Sequence, residues 1–366
     1  MRPNTGSITY YDNEKCYRAF FTTPAGKRTS KRFKVKQDAV DWVAAQTAAV
    51  ASASFVEPSQ LTCGEWLVIW LSEYKKTAVS QRTYEFYAGI IARCEPISSI
   101  KLQQIEPITV QQFYTHLLEH ITARTVKATH NMLKAAFTKA VNLGLLARNA
   151  VSLVEPPKVT VRTEVVTFTA DEIQEIYKTA KQYAGGRYYL LFLLAATTGA
   201  RLGELQTLRW SDINFQTGEI SISRSLSPSA QLGDIIKEPK TKAGIRKLTV
   251  PAQVVAEIKA RRMVSQYIFT TSTGVPISRR NIERAYKLIM EQADVPYRNF
   301  HVFRHTHATD LLAAGVPVIE VARRLGHSRI THTLELYGHA IPSYDKQIAA
   351  KVAELYPVQN RCETNF

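Results

Sequence analysis

The chain has 366 residues, enough for two or three domains with separate cores, and its 45% hydrophobic and 21% charged residues describe an ordinary globular protein. The longest apolar run (188–200) is too short to span a bilayer, the N-terminus lacks the apolar core of a signal peptide, and the four cysteines form no Cys-x-x-Cys pair. Export, membrane insertion, a disulfide framework and a cysteine zinc site are therefore not expected, and a reducing cytoplasm is. The charge says more: 47 lysines and arginines against 31 acidic residues give +16, split as +4 over residues 1–57, +4 over 58–160 and +8 over 161–366. Such a spread fits either a polyanion touching every part of the chain or a basic protein kept soluble by its charge.

In chain order, residues 7–35 read as three short strands, "SITYY", "CYRAFF" and "RFKV", joined by turns at Asp12-Asn13 and Pro24-Ala25-Gly26. The helix "KQDAVDWVAAQTAAV" follows, and Val40, Val43 and Ala44, with Trp42 beside them, are expected to lie on that sheet. Arg18, Lys27, Arg28, Lys31, Arg32 and Lys34 are interleaved with Tyr17, Phe20, Phe21 and Phe33, which on strands puts bases on one face and core on the other. Nucleic-acid contact and a plain solvated face both fit this pattern.

"ASASFVEPSQ" (51–60) is linker-like, and a helical region then runs to about residue 150. Thr62 with Glu65 predicts a capping box at the head of "CGEWLVIWLSEYKK". "QRTYEFYAGIIARC", "TVQQFYTHLLEH" and "TARTVKATHNMLKAAFTKAVNLG" have helical spacing, the last closed by Gly144. "VEPPKVTVRTEVVTF" (154–168) reads as a second, extended linker. From Thr169, capped by Glu172, helices surround one β-rich patch, "EISISRSL … IRKLTVP", which is expected to be a small antiparallel sheet carrying the basic loop "KEPKTKAG". Further helices are expected at 252–262, 279–292 and through "RHTHATDLLAAG". The fold class is thus mainly α with small antiparallel sheets, in three parts.

Two chemistries compete for the histidine-rich C-terminal region. "HVFRH" places His301 and His305 at i and i+4, a zinc-protease spacing, with His307 next. However, Val302 stands where that motif needs a glutamate, Arg304 repels a second cation, and carboxylates are scarce nearby, so no metal is expected. The same residues suit an anion. Arg201, after Gly199 at a helix start, and Arg304, on the helical face of His301, offer guanidinium donors matched to phosphate oxygens. Fixed cationic donors stabilise a phosphorane-like transition state without a metal. Lys242 could protonate a leaving hydroxyl, and Tyr337 offers a hydroxyl nucleophile that needs cationic neighbours. Taken singly, an arginine such as Arg201 is more often a surface charge or an ion-pair partner of Glu204, and a tyrosine such as Tyr337 more often a half-buried packing residue. The order Arg, Lys, His-x-x-Arg, His, Tyr is harder to reach by accident.

"TTGARLGELQTLRW", "PKTKAGIRKLTVP" and "HVFRHTHATDLLAAGVPVIEVARRLGHSRITHTLELYGH" resemble the motifs of the tyrosine recombinases of phage-integrase type, over about residues 165–345. "TARTVKATHNMLKAAFTKAVNLGLLARNA" is similar to the helical core-binding domain that precedes the catalytic one, with Asn149-Ala150 where the family often has Asn-Pro. "YRAFFTTPAGKRTSKRFKVKQDAVDW" is similar to the arm-type DNA-binding domains of some integrases. The resemblance implies an arm-type domain at 1–55, a core-binding domain at 58–155 and a catalytic domain at 165–366.

It further implies a site-specific recombinase that cuts and rejoins DNA through a 3′-phosphotyrosyl link, with no cofactor, for integration and excision of a mobile element. Arg201 and Arg304 match the phosphate clamp, and Glu204 a supporting acid that orients its neighbours. Lys242 matches the general acid, with Lys240 as rival. His301 and His327 match the two site histidines, and Tyr337 matches the nucleophile, Tyr344 lacking the spacing. His305, His307, His332 and His339 read as packing or hydrogen-bonding residues. Arg18, Lys27, Arg28 and Lys240 are candidate DNA contacts. The expected partners are double-stranded DNA at core and arm sites, three further copies in a homotetramer, a DNA-bending host factor and a directionality factor. The amphipathic tail "IPSYDKQIAAKVAELYPV" docks on a neighbouring protomer in such assemblies, or packs on its own domain. A supercoil-relaxing topoisomerase, a catalytically dead DNA-binding regulator and a chromosome-dimer resolvase are the alternative readings, the last usually lacking an extra N-terminal sheet in this family.

Overall fold

The structure, a computed structural model, describes residues 6–24, 26–52, 55–159, 165–229, 233–239, 242–261, 265–271, 273–342 and 345–356. The chain divides into two compact units, Met1–Thr160 and Val161–Phe366. Among the described residues no helix is long and apolar enough to cross a membrane.

The first unit begins with β1 (Ser7–Tyr11), β2 (Cys16–Thr22) and β3 (Arg28–Phe33), an antiparallel sheet in the order β1-β2-β3, backed by α1 (Lys36–Ala51). The third strand starts earlier than "RFKV". Gly26, at φ +82°, closes the turn by donating its N–H to Thr23 O, so pairing resumes at once with Arg28 opposite Thr22. The helix also faces the sheet differently from the expectation. Ala39 is fully buried, and Trp42 packs edge-on against Phe21 and beside Phe33, whereas Val40 and Ala44 are exposed. The large indole fixes the rotation of the helix, and the smaller Val40 and Ala44 are carried to the outside.

A helical bundle follows in the same unit. The capping box of Thr62 and Glu65 starts α2 (Cys63–Ile69), which continues as a π-helical turn through Trp70–Lys75. Then come α3 (Gln81–Arg93), the short α4 (Glu95–Ser98), α5 (Pro107–Leu118) and α6 (Ala123–Asn142). The core holds Trp66, Trp70, Phe113, Leu133 and Phe137, each about 1.5–3 kcal/mol of burial by area or more for the indoles. Trp66 Nε1 donates to Ala136 O at 3.1 Å, so the ring's polar atom is satisfied. Gly144, at φ +70°, follows α6. Asn149 accepts from the Val151 and Ser152 N–H groups and donates to Lys134 O and Thr138 Oγ1, fixing the chain after the bundle in place of a proline.

In the second unit the capping box of Thr169 and Glu172 opens α7 (Ala170–Gln182), followed by α8 (Tyr189–Thr198) and the short α9 (Leu202–Gln206). Next among the described residues come the strands β4 (Ile213–Asn214), β5 (Glu219–Ile222), β6 (Ser225–Ser229), β7 (Gly233–Lys237) and β8 (Arg246–Thr249). They form two sheets where one was expected. β4-β5-β8 is a three-stranded sheet, and β6-β7 is a separate antiparallel hairpin inserted between β5 and β8. Arg224, in the gap between β5 and β6, is ion-paired to Asp212 and ties down the bend that takes the chain out of the first sheet. The unit continues, among the described residues, with α10 (Ala252–Ala260), α11 (Arg279–Gln292), α12 (Val302–Ala313), α13 (Val318–Leu325), α14 (Ile330–Tyr337) and α15 (Asp345–Leu355). α8 is apolar on every side and lies in the core, with Phe192 stacked on Phe303 of α12 at 5.8 Å. That packing fixes the two segments that carry the arginines. On α15, Ile348, Val352, Leu355 and the following Tyr356 are all exposed.

Candidate active site

Arg201 is placed by the break between α8 and α9. Gly199 adopts φ +61° after α8, and a side chain there would collide with His307 and Leu325. Two residues later Arg201 caps α9, its N–H donating to Glu204 Oε2 at 2.8 Å and its Nη1 to Oε1 at 3.0 Å. Arg201 remains 43% exposed, whereas Glu204 is buried at 4%. Arg246, on β8, completes the carboxylate's shell with Nη2–Oε2 at 2.9 Å and Nη1–Oε1 at 3.3 Å. Burial alone raises the Glu204 pKa, but the Arg246 hydrogen bonds and charge, then Arg201, outweigh it and hold the group below the usual carboxylate range. The sequence reading did not single out Arg246. Its signal was the strand alternation of Arg246, Leu248 and Val250, all three of which point inward.

Arg304, on α12, is 2% exposed. Its Nη1 donates to Gly199 O at 2.8 Å and its Nη2 to Leu325 O at 2.7 Å, carbonyls at the C-terminal ends of α8 and α13. A guanidinium at two helix C-termini satisfies orphan acceptors and meets the negative ends of both dipoles. The rest of its five N–H donors make no hydrogen bond among the described residues. Burial and then the charge of Arg201 lower its pKa, the direction expected for a cation crowded by cations, and it stays charged at neutral pH.

His301 stands at the head of α12, its N–H held by Asn299 Oδ1 and its ring edge-on to His305 at 4.9 Å. Desolvation, then His305, Arg304 and Arg201, push its pKa down to about 4, although the residue keeps an exposed edge. His327 follows Gly326, whose φ of +69° ends α13, and its Nδ1 lies 2.8 Å from Thr333 Oγ1 of α14. Burial and then Arg304 press its pKa to about 3. A Cβ on Gly326 would meet Ala243 O, so the turn Lys242–Gly244 passes against the start of the His327 segment. Lys242 opens this 3-10 turn, ahead of β8; its side chain, Lys240 and Tyr344 lie outside the described residues.

Tyr337 ends α14, 1% exposed, with its hydroxyl 2.8 Å from His305 Nδ1. Burial raises its pKa, while the charges of Arg304 and Arg201 pull the other way. Those two arginines also act on His301 and His327, so all five side chains share one electropositive locality. His307 is tied to the scaffold. Nδ1 lies 2.8 Å from Ala196 O, and Nε2 accepts from Arg324 Nε at 3.0 Å. His332 meets His327 ring to ring, and His339 is exposed. Among the described residues a group of side chains that could hold a metal ion is His116, Glu119 and His120, all exposed at the end of α5.

Residues 167–343 match the phage integrase family, and residues 62–118 match the phage integrase N-terminal SAM-like domain. Over 336 aligned residues the chain is 32% identical to a tyrosine recombinase XerC-like protein of Caldanaerobacter subterraneus subsp. tengcongensis, covering 82% of this chain and 85% of that protein. The chain is a tyrosine recombinase of the phage integrase family. The recombinase is also 26% identical to the ICEBs1 integrase of Bacillus subtilis, over 69% of its own length and 72% of that protein. It shares its fold with the Tn1549 transposon integrase in complex with a circular intermediate DNA, at a TM-score of 0.68 and 19% identity, covering 80% of this chain and 99% of that one. The lambda integrase tetramer bound to a Holliday junction aligns at a TM-score of 0.61 and 19% identity, covering 94% and 97%. Site-specific recombination of DNA is therefore the activity of this chain.

The remaining candidates lie on the first unit. Arg18, Arg28 and Arg32 share the sheet face opposite α1, with Phe20 among them: Arg28 lies 4.3 Å and Arg18 5.6 Å from its ring centroid. Phe20 thus belongs to the arginine face and not to the core. Arg18 and Arg32 are direct cross-strand partners, a like-charge pairing that costs stability, relieved in part by Glu14 at 3.3 Å from Arg32. Lys27 sits in the turn between β2 and β3, its N–H on Thr23 Oγ1.

Proposed function

We propose that this recombinase is the integrase of a phage or other mobile element, joining and releasing that element through a 3′-phosphotyrosyl intermediate on Tyr337. The observation that carries the reading is the convergence of Tyr337 with Arg201, Arg304, His301 and His327 around unspent guanidinium donors. Tyr337 Oη attacks the scissile phosphate, Arg201 and Arg304 hold its non-bridging oxygens, and the 5′ oxygen leaves with a proton from Lys242. His301 and His327, both neutral near pH 7, donate hydrogen bonds to the phosphate. Glu204 and Arg246 form the buried base on which Arg201 is oriented. Because one phosphoester replaces another, the reaction needs no ATP and no metal.

In this reading residues 58–155 and 165–366 clamp the core site, and residues 1–55 bind arm sites through the face of Arg18, Arg28 and Arg32. Four copies act together on a four-way junction, and the exposed apolar side of α15 supplies a contact between them. A DNA-bending host factor and a directionality factor set the direction of the reaction. The test is capture of covalent adducts from a library of element and genomic DNA, with Tyr337→Phe as control. Tyrosine-dependent adducts at one or two short sites support the reading. Adducts scattered over the library would replace it with a topoisomerase, and tight binding without adducts would replace it with a regulator.

A further inference from the structure

We propose that His305 is the proton acceptor for Tyr337, its Nδ1 taking the phenol proton as Oη attacks phosphorus and returning it when the strand is rejoined. The inference rests on Tyr337 being the nucleophile. His305 Nδ1 lies 2.8 Å from Tyr337 Oη, with the ring centroids 5.6 Å apart. It is the hydroxyl's one hydrogen-bond partner among the described residues. The pair is held rigidly from both sides. His305 follows Arg304, which is bonded to the ends of α8 and α13, and Tyr337 lies in a small core with Ala308, Leu312, Val321 and Leu325.

Protonation states agree with that geometry. Burial keeps the proton on Tyr337 at neutral pH, so attack needs an acceptor. Burial and then the charge of Arg304 lower the His305 pKa, leaving a neutral ring whose Nδ1 lone pair is free when Nε2 carries the hydrogen. The groups that face His305 are His301 and Arg304 from its own helix and Tyr337 from α14, with Arg201 acting on Tyr337 and His301 from the head of α9. None of them is an anion that would hold His305 protonated. His301 is the rival acceptor, but its ring meets His305 edge-on, and no hydrogen bond joins it to Tyr337 among the described residues.

The step balances. The Oη–H proton moves to Nδ1, the Oη–P bond forms, and the P–O5′ bond breaks with its electron pair on O5′, which takes a proton from the general acid. In rejoining, a 5′ hydroxyl gives its proton to that acid's conjugate base and bonds to phosphorus. The P–Oη bond then breaks and the tyrosinate recovers the proton from the His305 imidazolium.

The experiment uses the full chain on a nicked duplex holding a site recovered by adduct capture, with single-turnover cleavage followed from pH 5 to 9. His305→Asn keeps a polar atom near the Nδ1 position without its basicity. It is expected to bind DNA as the parent does and to cleave ~10²-fold more slowly, with the acid limb assigned to His305 gone. His305→Ala is expected to regain cleavage in proportion to added imidazole in its free-base form. Parent-like cleavage by His305→Asn overturns the proposal. So does a slow variant that keeps the parent's pH profile while His305→Ala ignores imidazole, since that pattern belongs to a residue that only positions the tyrosine. A Tyr337→Phe protein that still forms adducts would instead overturn the nucleophile assignment, a separate failure.

Discussion

Arginine is used in opposite ways in the two units. On the N-terminal sheet Arg18, Arg28 and Arg32 lie on an open face over Phe20, two of them directly opposed as like charges. In the second unit Arg304 and Arg246 are buried, their donors engaged by helix-end carbonyls and by Glu204. An exposed guanidinium adapts to whatever phosphate arrives and contributes affinity, which salt screens. A buried one is already fixed where charge develops and contributes rate. The difference teaches that the chain's +16 has an exposed and a buried component, which in the proposed function divide the holding of a polyanion from the acting on it.

That contrast sets the order of the predictions. Tyr337→Phe should remove every covalent adduct and leave DNA affinity within about twofold, measured by filter binding beside denaturing gels; a surviving adduct would break the assignment. Arg201→Lys should slow single-turnover cleavage by ~10²–10³-fold with an unchanged melting midpoint, because a point charge lacks the guanidinium fork. Glu204→Ala should cost ~3–5 kcal/mol in denaturant unfolding, since it strands the buried Arg246 cation; a loss under 1 kcal/mol would show that Arg246 finds solvent instead.

A fourth prediction concerns acid. Burial and then Arg324 depress the His307 pKa to about 4, so the folded state binds its proton more weakly than the unfolded chain does near 6.5. The stability this histidine contributes is complete above pH 6.5 and is lost as pH falls to about 4, on the order of 2–3 kcal/mol. The melting midpoint of the parent should therefore drop faster over that window than that of His307→Asn; parallel curves would refute it. The smallest effect belongs to the sheet. Arg28→Ala should weaken binding to arm-containing DNA alone and reduce the salt slope by about 1, with cleavage of a core site untouched.

What the sequence disclosed and what it hid divides along the distance between partners. The capping boxes at Thr62 and Thr169 and the helix after Gly199 are written within three or four residues and appear as expected. Arg201, Arg304, His301, His327 and Tyr337 were legible one short motif at a time, but the packing of α8, α12, α13 and α14 is what brings them together. The contacts between Arg246 and Glu204, 42 residues apart, and between His305 and Tyr337, 32 apart, depend on how helices and strands pack, and no periodicity announces them. The rotation of α1 was hidden for a related reason. Its apolar residues leave two faces open, and Trp42 decides between them only once the sheet is present.

The double engagement of Arg304 has an evolutionary reading. One side chain ties together the ends of α8 and α13 and, in the function proposed above, also holds the reacting phosphate. A position that serves only folding can drift through compensating neighbours, and one that serves only chemistry can be lost while the protein persists as a binding factor. In that reading position 304 has neither route, because a replacement would lose scaffold and reaction together.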